Sequence, residues 1–317
     1  MTAAADTFAE STPDGTKERL ALARRLTVST YVAVFVWSVF AFGIPIDRLA
    51  VLAWMFGGFA AASIGRPKSE TAQMVRDWLV LVAIYMAYDY SRGTADQWGI
   101  AVNYTGPRDL DSLLLFGFEP VSGIQGRFYD PADVRWWDVG GSIVYMTHFV
   151  FPVLPLALLR VRNRIEWGRY VRRFSVTLFV AVACFIAYPA APPWMASRDG
   201  YLPPVARITG RGWGEVGLDT VSRTFNRGVA VLNPVAAMPS LHAGLALLVT
   251  LWFTRRSPTW LRAAAMLYPV SMAATLVYFG EHYLVDCLAG WAVVGIAMWA
   301  SARWEDRRAA ELMTRTE

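Results

Sequence analysis

Residues 236–254 read AAMPSLHAGLALLVTLWFT, so a polar Pro-Ser-Leu-His segment stands directly before a long apolar run. From Pro239 onward we predict a membrane span over residues 239–254. Predominantly apolar runs of about 17–20 residues are long enough to cross a bilayer. The chain contains only three histidines, and one of them, His242, lies where this helix is predicted to start.

Similar apolar runs recur along the 317-residue chain, of which 55% is hydrophobic and which has a mean hydropathy of +0.34. This composition excludes an ordinary soluble domain and favours an all-α integral membrane protein. We predict about eight transmembrane helices that form a single membrane domain over residues 27–302. The predicted spans are 27–46, 48–65, 76–92, 140–160, 173–190, 239–254, 261–279 and 283–302.

Arginine and lysine predict the orientation of the spans, because cytoplasmic loops carry an excess of basic residues. Twenty of the 30 basic residues lie in segments on the same side as the N-terminus, six of them within residues 160–173. Most of the other ten lie in two long loops, 93–139 and 191–238. We therefore predict a cell-membrane protein with these loops outside. A disordered N-terminus, 1–26, and a tail, 303–317, are predicted in the cytoplasm. The basic excess is interpreted as a topology signal and not as a nucleic-acid surface.

The predicted topology places all three histidines near the outer membrane face, although it is derived from basic residues alone. His242 opens the sixth span, His282 lies between the last two spans, and His148 lies about two turns into the fourth. An ionisable group at such a depth is costly and marks a functional site by default. The outer face is therefore the predicted location of the functional site.

His282 and Asp286 stand four residues apart in the segment EHYLVD, residues 281–286. On a helix this spacing places both side chains on one face. A carboxylate that accepts a hydrogen bond from one imidazole nitrogen fixes the tautomer, so the other nitrogen becomes a nucleophile or a base. The alternative interpretation is structural, with an interfacial histidine beside a helix-capping aspartate.

The PSLH segment predicts an anion site at a helix N-terminus. Proline suits the first helical turn, where its missing N–H is not needed. With Pro239 in that turn, the next backbone amides are expected to be free to bind phosphate. His242 beside such a site is placed to donate a proton to a leaving oxygen. Ser240 is interpreted as a cap or a phosphate contact, with a nucleophilic serine as the alternative.

Together, PSLH and the EHYLVD segment about forty residues later resemble signature motifs of the type 2 phosphatidic acid phosphatase superfamily. The likeness is closer to its inositol phosphorylceramide synthase branch, through MPSLH, YPAAPPW at residues 188–194 and HFVFP at residues 148–152. It covers roughly residues 140–302 and implies a six-helix membrane core. The resemblance also implies roles for the motif residues: His282 as the nucleophile that forms a phosphohistidine, Asp286 as its orienting carboxylate, His242 as the acid for the leaving group and Ser240 as a phosphate contact.

The chain departs from the superfamily pattern at several motif positions. Leu241 stands where the phosphatases have glycine, and Thr275-Leu276 stands where Ser-Arg is expected. No clean KxxxxxxRP motif is found upstream, and Lys68 falls on the predicted inner side. The arginine that neutralises the phosphate must therefore come from elsewhere.

Four further residues are candidates for substrate or phosphate binding. Arg92 is the first candidate for the missing arginine and Arg227 is the second, with headgroup-facing arginines as the alternative. Asp89 is a second charged residue near the outer end of the third span, and it is placed to pair with an arginine or to position a substrate hydroxyl. His148 either lines the cavity or packs between helices.

These observations predict a lipid phosphotransferase that needs no metal or other cofactor. It would move a phospho-alcohol head group, such as phosphoinositol, from a phospholipid to a lipid or glycolipid hydroxyl at the outer face. With water as acceptor, the same chemistry gives a lipid phosphate phosphatase or a phospholipase. Two alternatives come from other classes: a non-enzymatic lipid transporter that uses Asp89 and His148, and a metal hydrolase that uses the three histidines.

Overall fold

The computed structural model describes residues 14–315, apart from 44, 46–47, 95–96, 216, 218–232 and 234. Within these residues the regular secondary structure is helical, which confirms the predicted all-α class. Strand-like pairing in this part of the chain is limited to two isolated bridges, which join Asn103 to Ala190 and Ala190 to Ala236.

The described residues form fourteen helices, of which several are short and lie in the long loops. They are α1 (Asp14–Phe42), α2 (Arg48–Ser63), α3 (Lys68–Gly93), α4 (Gly106–Leu114), α5 (Pro120–Phe128), α6 (Trp136–Val150), α7 (Leu154–Arg162), α8 (Arg164–Ala187), α9 (Pro193–Arg198), α10 (Arg211–Glu215), α11 (Leu241–Thr254), α12 (Thr259–Ala265), α13 (Leu267–Tyr278) and α14 (Leu284–Thr314).

By length and composition, four helical segments of the described chain can cross a membrane: Gly15–Phe42, Arg164–Ala187, Thr259–Tyr278 and Leu284–Thr314. The pair α6–α7, bent by 45°, adds a fifth if it forms one span. All eight predicted spans fall on helices, but α2 and α11 have only 16 and 14 residues, and α3 carries several charges. The chain is a multi-pass helical membrane protein, and eight spans with a six-helix core stay a prediction.

The chain forms two compact units, one up to Tyr85 and one from Met86 onward. In the first unit α1 packs against α2, where Trp54 meets the edges of Tyr31 and Phe35. Residues 14–26 are helical in place of the disorder predicted for them. The reason is local, since KERLALARRL consists almost entirely of strong helix formers. Similarly, α14 continues through most of the predicted tail, to Thr314.

Helix α11 forms the core of the second unit. It packs against α8, α13 and α14, and residues 243–250 are buried without interruption. A helix that is apolar on all sides either faces lipid or is surrounded by other helices, and the continuous burial of α11 shows that here other helices surround it. Gly290 on α14 allows the closest approach, because a Cβ there would collide with the Ser240 carbonyl oxygen. The first turns of α11 and α14 are therefore held side by side.

The two long loops, as far as they are described, fold onto the same unit. Gln125 on α5 is buried, donates to the carbonyls of Ala206 and Tyr278 at 2.8 and 2.7 Å, and accepts the Ala206 N–H at 2.9 Å. Asp138 on α6 accepts the Tyr278 hydroxyl at 2.6 Å and Arg211 Nε at 3.3 Å. Buried polar groups need such partners, so these bonds fix the loops against the end of α13.

Candidate active site

The three histidines, which are far apart in sequence, meet in the second unit. The ring centroids of His242 and His148 are 3.9 Å apart, and those of His242 and His282 are 5.7 Å apart. His148 lies near the end of α6, His242 in the first turn of α11, and His282 in the turn before α14. The structure thus brings together the side chains that the sequence predicted for one membrane face.

The start of α11 fixes the position of His242. The helix begins at Leu241, and Ser240 is its N-cap, with Oγ accepting the Ala243 N–H at 3.3 Å. Pro239 lies before the cap and follows a cis peptide bond. The prediction that Pro239 occupies the first helical turn is therefore wrong, because the serine side chain supplies the cap at the next position.

Fewer backbone N–H groups are free at the start of α11 than the sequence predicted. The Ser240 N–H donates to the carbonyl of Asp286 at 2.8 Å, so it cannot bind phosphate. The N–H groups of Leu241 and His242 have no hydrogen-bond partner within the described part of the chain. The predicted anion site is thereby reduced to these two amides.

The end of α13 sets the position of His282. Gly280 has φ +71°, and the N–H groups of Gly280 and Glu281 donate to the carbonyls of Val277 and Leu276 at 3.1 and 3.0 Å. This is a Schellman motif, which needs one left-handed residue and so favours glycine. The chain reverses its direction at Gly280, and His282 follows in the segment between α13 and α14.

His282 and Asp286 form the predicted pair, although they do not share a helix. Because α14 begins at Leu284, His282 lies two residues before it. His282 Nδ1 is 3.4 Å from Asp286 Oδ2, which also accepts the Tyr283 N–H at 2.9 Å. Asp286 is fully buried and His282 is 7% exposed. The Asp286 carboxylate therefore both orients the imidazole and caps the helix. The other ring nitrogen of His282, Nε2, takes no part in this contact.

Tyr145 belongs to the site but was not singled out from the sequence. Its ring stacks on His242 with a centroid distance of 5.0 Å and an interplanar angle of 24°, and it is 5% exposed. His148 contacts the same imidazole from the next turn of α6. The two α6 rings therefore fix the plane of His242. The three-residue spacing of Tyr145 and His148, which places both on one helix face, was the available signal.

Arg92 lies in the last turn of α3, within electrostatic range of His148 and His242. Its backbone carbonyl accepts Nδ2–H of Asn233 at 3.0 Å, which ties the helix end to the chain before α11. Asp89 is half-buried on the same turn of α3. Arg227, the second candidate arginine, lies outside the described residues. The structure thus brings Arg92 to the histidines.

Arg207 is a second arginine at the site, and its sequence position indicated only a topology signal. Its Nε is 2.5 Å from Glu281 Oε1, and the two side chains are 19% and 13% exposed. Glu281 directly precedes His282, and Arg207 is within electrostatic range of His242 and Tyr145. The local sequence ARITGRGW does not predict this contact, because Arg207 and Glu281 come together only when the loop folds.

The arrangement pairs one oriented imidazole, His282, with a second imidazole, His242, that has no carboxylate behind it in the described structure. Two arginines lie nearby. Such a set can attack an electrophilic centre from one side and protonate a leaving oxygen from the other. In the part of the chain that the structure describes, no group of three or more His, Cys, Asp or Glu side chains is arranged to hold a metal ion.

Comparison with known proteins gives one family and several relatives. A family model described as PAP2 superfamily matches residues 115–300. The phosphoinositol dihydroceramide synthase of Bacteroides thetaiotaomicron is 29% identical over 162 residues, which is 48% of this chain and 52% of that protein. The inositol phosphorylceramide synthase catalytic subunit of Schizosaccharomyces pombe is 24% identical over 183 residues, 56% of this chain and 42% of that protein.

A third relative, the inositol phosphorylceramide synthase of Candida albicans, is 28% identical over 169 residues, 50% of this chain and 33% of that protein. The matched segment thus spans between a third and about half of the length of these relatives. No solved structure matches the chain.

Proposed function

The chain belongs to the PAP2 superfamily, and from this membership we propose that it transfers a phospho-alcohol head group from a phospholipid to a hydroxyl of another lipid or glycolipid. The observation that carries the proposal is the approach of His242 to His282, with Asp286 behind His282. The names of three relatives all refer to phosphorylated inositol and ceramide. We therefore propose phosphoinositol as the transferred group and a ceramide-type hydroxyl as the first acceptor to test.

In the first half-reaction, Nε2 of His282 attacks the phosphorus of the donor, phosphatidylinositol. An N–P bond forms, and the P–O bond to diacylglycerol breaks. His242, in its protonated form, gives a proton to the departing oxygen. The Asp286 carboxylate stabilises the imidazolium that develops on His282 and keeps Nδ1 protonated. The product is a phosphoinositol group bound covalently to His282.

In the second half-reaction, the acceptor hydroxyl attacks the same phosphorus. Neutral His242 takes the hydroxyl proton, the new P–O bond forms, and the N–P bond to His282 breaks. The enzyme returns to its starting protonation state, with no net gain or loss of protons. Water in place of the lipid hydroxyl would release inositol phosphate, which is the hydrolase alternative.

Charge stabilisation is expected to supply the main catalytic effect, since phosphoryl transfer spreads negative charge over the equatorial oxygens. Arg92 and Arg207 are the guanidinium groups available for this role, and the amides of Leu241 and His242 add dipoles at the start of α11. We propose that Arg207 exchanges Glu281 for the phosphodiester when the donor binds.

We further propose that the site faces the outer side of the cell membrane, with both termini in the cytoplasm. The support is the distribution of basic residues, which are concentrated away from the histidine end of the spans. The donor would then enter from the outer leaflet, whose lipids reach the ends of α6, α11 and α14.

The test uses purified protein in mixed micelles with inositol-labelled phosphatidylinositol, with a ceramide or total lipid as acceptor. His282→Ala is run beside the parent protein, and the lipid products are separated. Label in a new lipid that is absent with His282→Ala is the expected result. A matched control is Leu113→Ala, because Leu113 lies on α4 with its side chain 74% exposed.

Other outcomes decide between the alternatives. Label released as water-soluble inositol phosphate, and lost with His282→Ala, would make water the acceptor and the protein a hydrolase. Label that stays in the donor with both proteins, under every acceptor, would contradict the phosphoinositol proposal and favour a transporter.

A further inference from the structure

The N-terminus of α14 is capped by a residue from another part of the chain. Asp111 on α4 accepts the N–H of Leu284 through Oδ2 at 2.9 Å and the N–H of Val285 through Oδ1 at 2.7 Å. These are the first two residues of α14, whose amides have no partner within the helix. Asp111 is 1% exposed, so water is not an alternative partner for its carboxylate.

The local sequence explains why a distant cap is needed. The N-cap position of α14 is Tyr283, whose side chain makes no capping hydrogen bond and cannot do so as Ser, Thr or Asp would. Its own N–H is taken by Asp286 Oδ2, the oxygen that also lies beside His282. Without Asp111, the partly buried amides of Leu284 and Val285 next to the His282 turn would lose their acceptors, which is unfavourable.

From these contacts we infer that Asp111 is a positioning residue, which holds the first turn of α14 and thereby sets the geometry of the His282–Asp286 pair. Its two carboxylate oxygens accept hydrogen bonds from two consecutive backbone N–H groups. These bonds fix both the position of the first turn along the axis of α14 and its rotation about that axis. The turn in question lies between the two members of the pair. This inference rests on the proposed function of His282, and Asp111 precedes the residues that the family model matches.

Burial and the helix N-terminus act on the charge of Asp111 in opposite directions. A carboxylate at a helix N-terminus is favoured by the helix dipole. Burial raises the pKa of the Asp111 carboxyl to about 6, while the N–H groups of Leu284 and Val285 lower it. Above that pH the side chain is ionised and accepts through both oxygens, as the two contacts require.

The first test compares Asp111→Asn and Asp111→Ala with Asp109→Asn. Asp109 lies on the same helix but is 57% exposed and pairs with Arg108, so its change is expected to leave activity unaltered. For Asp111→Ala, we expect kcat for label transfer to fall roughly 10- to 100-fold with KM for phosphatidylinositol unchanged, because the pair is displaced while substrate contacts remain. Asp111→Asn, which keeps one acceptor oxygen, is expected to fall between Ala and the parent.

A second readout does not depend on activity. Hydrogen exchange of the peptide that contains Leu284 and Val285 should accelerate in Asp111→Ala and remain unchanged in Asp109→Asn. Unchanged exchange in Asp111→Ala would overturn the inference whatever the activity. If the parent protein itself transfers no label, the proposed function fails, while the exchange experiment still decides whether the cap exists.

A change on the other side of the contact covers the case in which Asp111→Ala does not fold. Leu284→Pro removes one donor N–H, and proline is well tolerated at the first helical position. Tyr283, with ψ 160°, already has the extended backbone that a following proline requires. The control is Leu284→Ala, which loses the side chain and keeps the N–H. A lower kcat in Leu284→Pro than in Leu284→Ala supports the inference, and equal values overturn it.

Discussion

At the scale of single residues, the proposed chemistry depends on which nitrogen of His282 carries the proton. Asp286 lies beside Nδ1, so the neutral ring is expected to keep its proton there and to present Nε2, the proposed nucleophile. His242 lacks such a partner among the described residues, and we assign to it the proton transfers to and from the lipid oxygens. The two imidazoles are therefore proposed to have different roles, because among the described residues a carboxylate lies behind His282 and none lies behind His242.

Asp286→Asn separates orientation from charge. The amide retains the shape of the side chain, but it no longer stabilises a positively charged imidazole and can select the wrong tautomer. We expect kcat to fall about 10²- to 10⁴-fold, with little change in KM. Steady-state kinetics of label transfer, with circular dichroism to show that the helices persist, would measure this. Activity equal to that of the parent would remove Asp286 from the mechanism.

Arg207 provides a second prediction at this scale. Arg207→Ala should lower kcat/KM by about 10- to 100-fold, because a charge-assisted contact with the phosphodiester is lost. Arg207→Lys should recover only part of it, since lysine lacks the planar fork. Arg198→Ala is the control, because Arg198 is 58% exposed and pairs with Asp199. If Arg207→Ala and Arg198→Ala behave alike, Arg207 does not bind the substrate.

At the scale of elements, the separation of α11 and α14 determines how far Ser240 and His242 lie from Asp286. Gly290→Ala would force the Ser240 carbonyl away, so we expect a loss of about 1–3 kcal/mol in stability and a marked loss of activity. Gly295→Ala, on the same helix, places its Cβ in open space and should be neutral or slightly stabilising. Thermal unfolding in detergent would compare them, and equal melting temperatures would contradict the close contact.

The burial of the Asp111 carboxyl predicts how the stability of the protein depends on pH. The pKa of Asp111 is raised by burial from 3.8 to about 6, so the folded protein holds this proton more tightly than the unfolded chain does. The stability that this proton contributes is complete below pH 3.8 and is lost as the pH rises through 6. Melting temperatures between pH 4 and 7 should therefore fall more steeply in the parent than in Asp111→Asn. Parallel curves would contradict the raised pKa.

The sequence predicted those parts of the site that lie within short contiguous motifs. His242 and Ser240 are neighbours in PSLH, and His282 and Asp286 share EHYLVD, so spacing alone was sufficient to propose them. The same spacing was misleading about local structure, since the Schellman turn at Gly280 places His282 before α14, while Asp286 lies within it. Local periodicity does not distinguish these two geometries.

Residues such as Arg207 and Asp111 could not be predicted, because tertiary folding alone brings them to the site. Arg207 meets Glu281 across 74 residues, and Asp111 meets Leu284 across 173. Arg207 lies outside regular secondary structure and Asp111 on the short helix α4, and neither local sequence indicates its distant partner. The sequence predicted only that the long loops lie outside, because their contacts with the turn after α13 depend on how they fold.

At the scale of the whole molecule, the basic residues of the second unit are more numerous at the end away from the histidines. The end away from the histidines is held by ion pairs between arginine and glutamate, such as Arg173 with Glu305 at 2.8 and 3.1 Å and Arg255 with Glu166 at 2.5 Å. Arginines also stack there on tryptophan, as Arg172 does on Trp304 at 3.8 Å. This distribution is the basis for the proposed orientation.

The proposed orientation can be tested with single cysteines. Leu113→Cys on α4 and Arg256→Cys after α11 both replace well-exposed side chains, 74% and 79% exposed. In intact cells, a membrane-impermeant thiol reagent should label Leu113→Cys and reach Arg256→Cys only after permeabilisation. The parent protein, with Cys184 and Cys287, serves as the background. The reverse labelling pattern would invert the proposed topology.

The cap that Asp111 places on α14 has a consequence for biosynthesis. Asp111 is synthesised first, and Leu284 and Val285 are synthesised 173 and 174 residues later. Nascent chains that have not yet inserted α14 therefore lack the His282 turn and also the amides that Asp111 binds. We expect such ribosome-bound intermediates to be inactive toward the surrounding lipids. Activity should begin only after α14 has been inserted into the membrane.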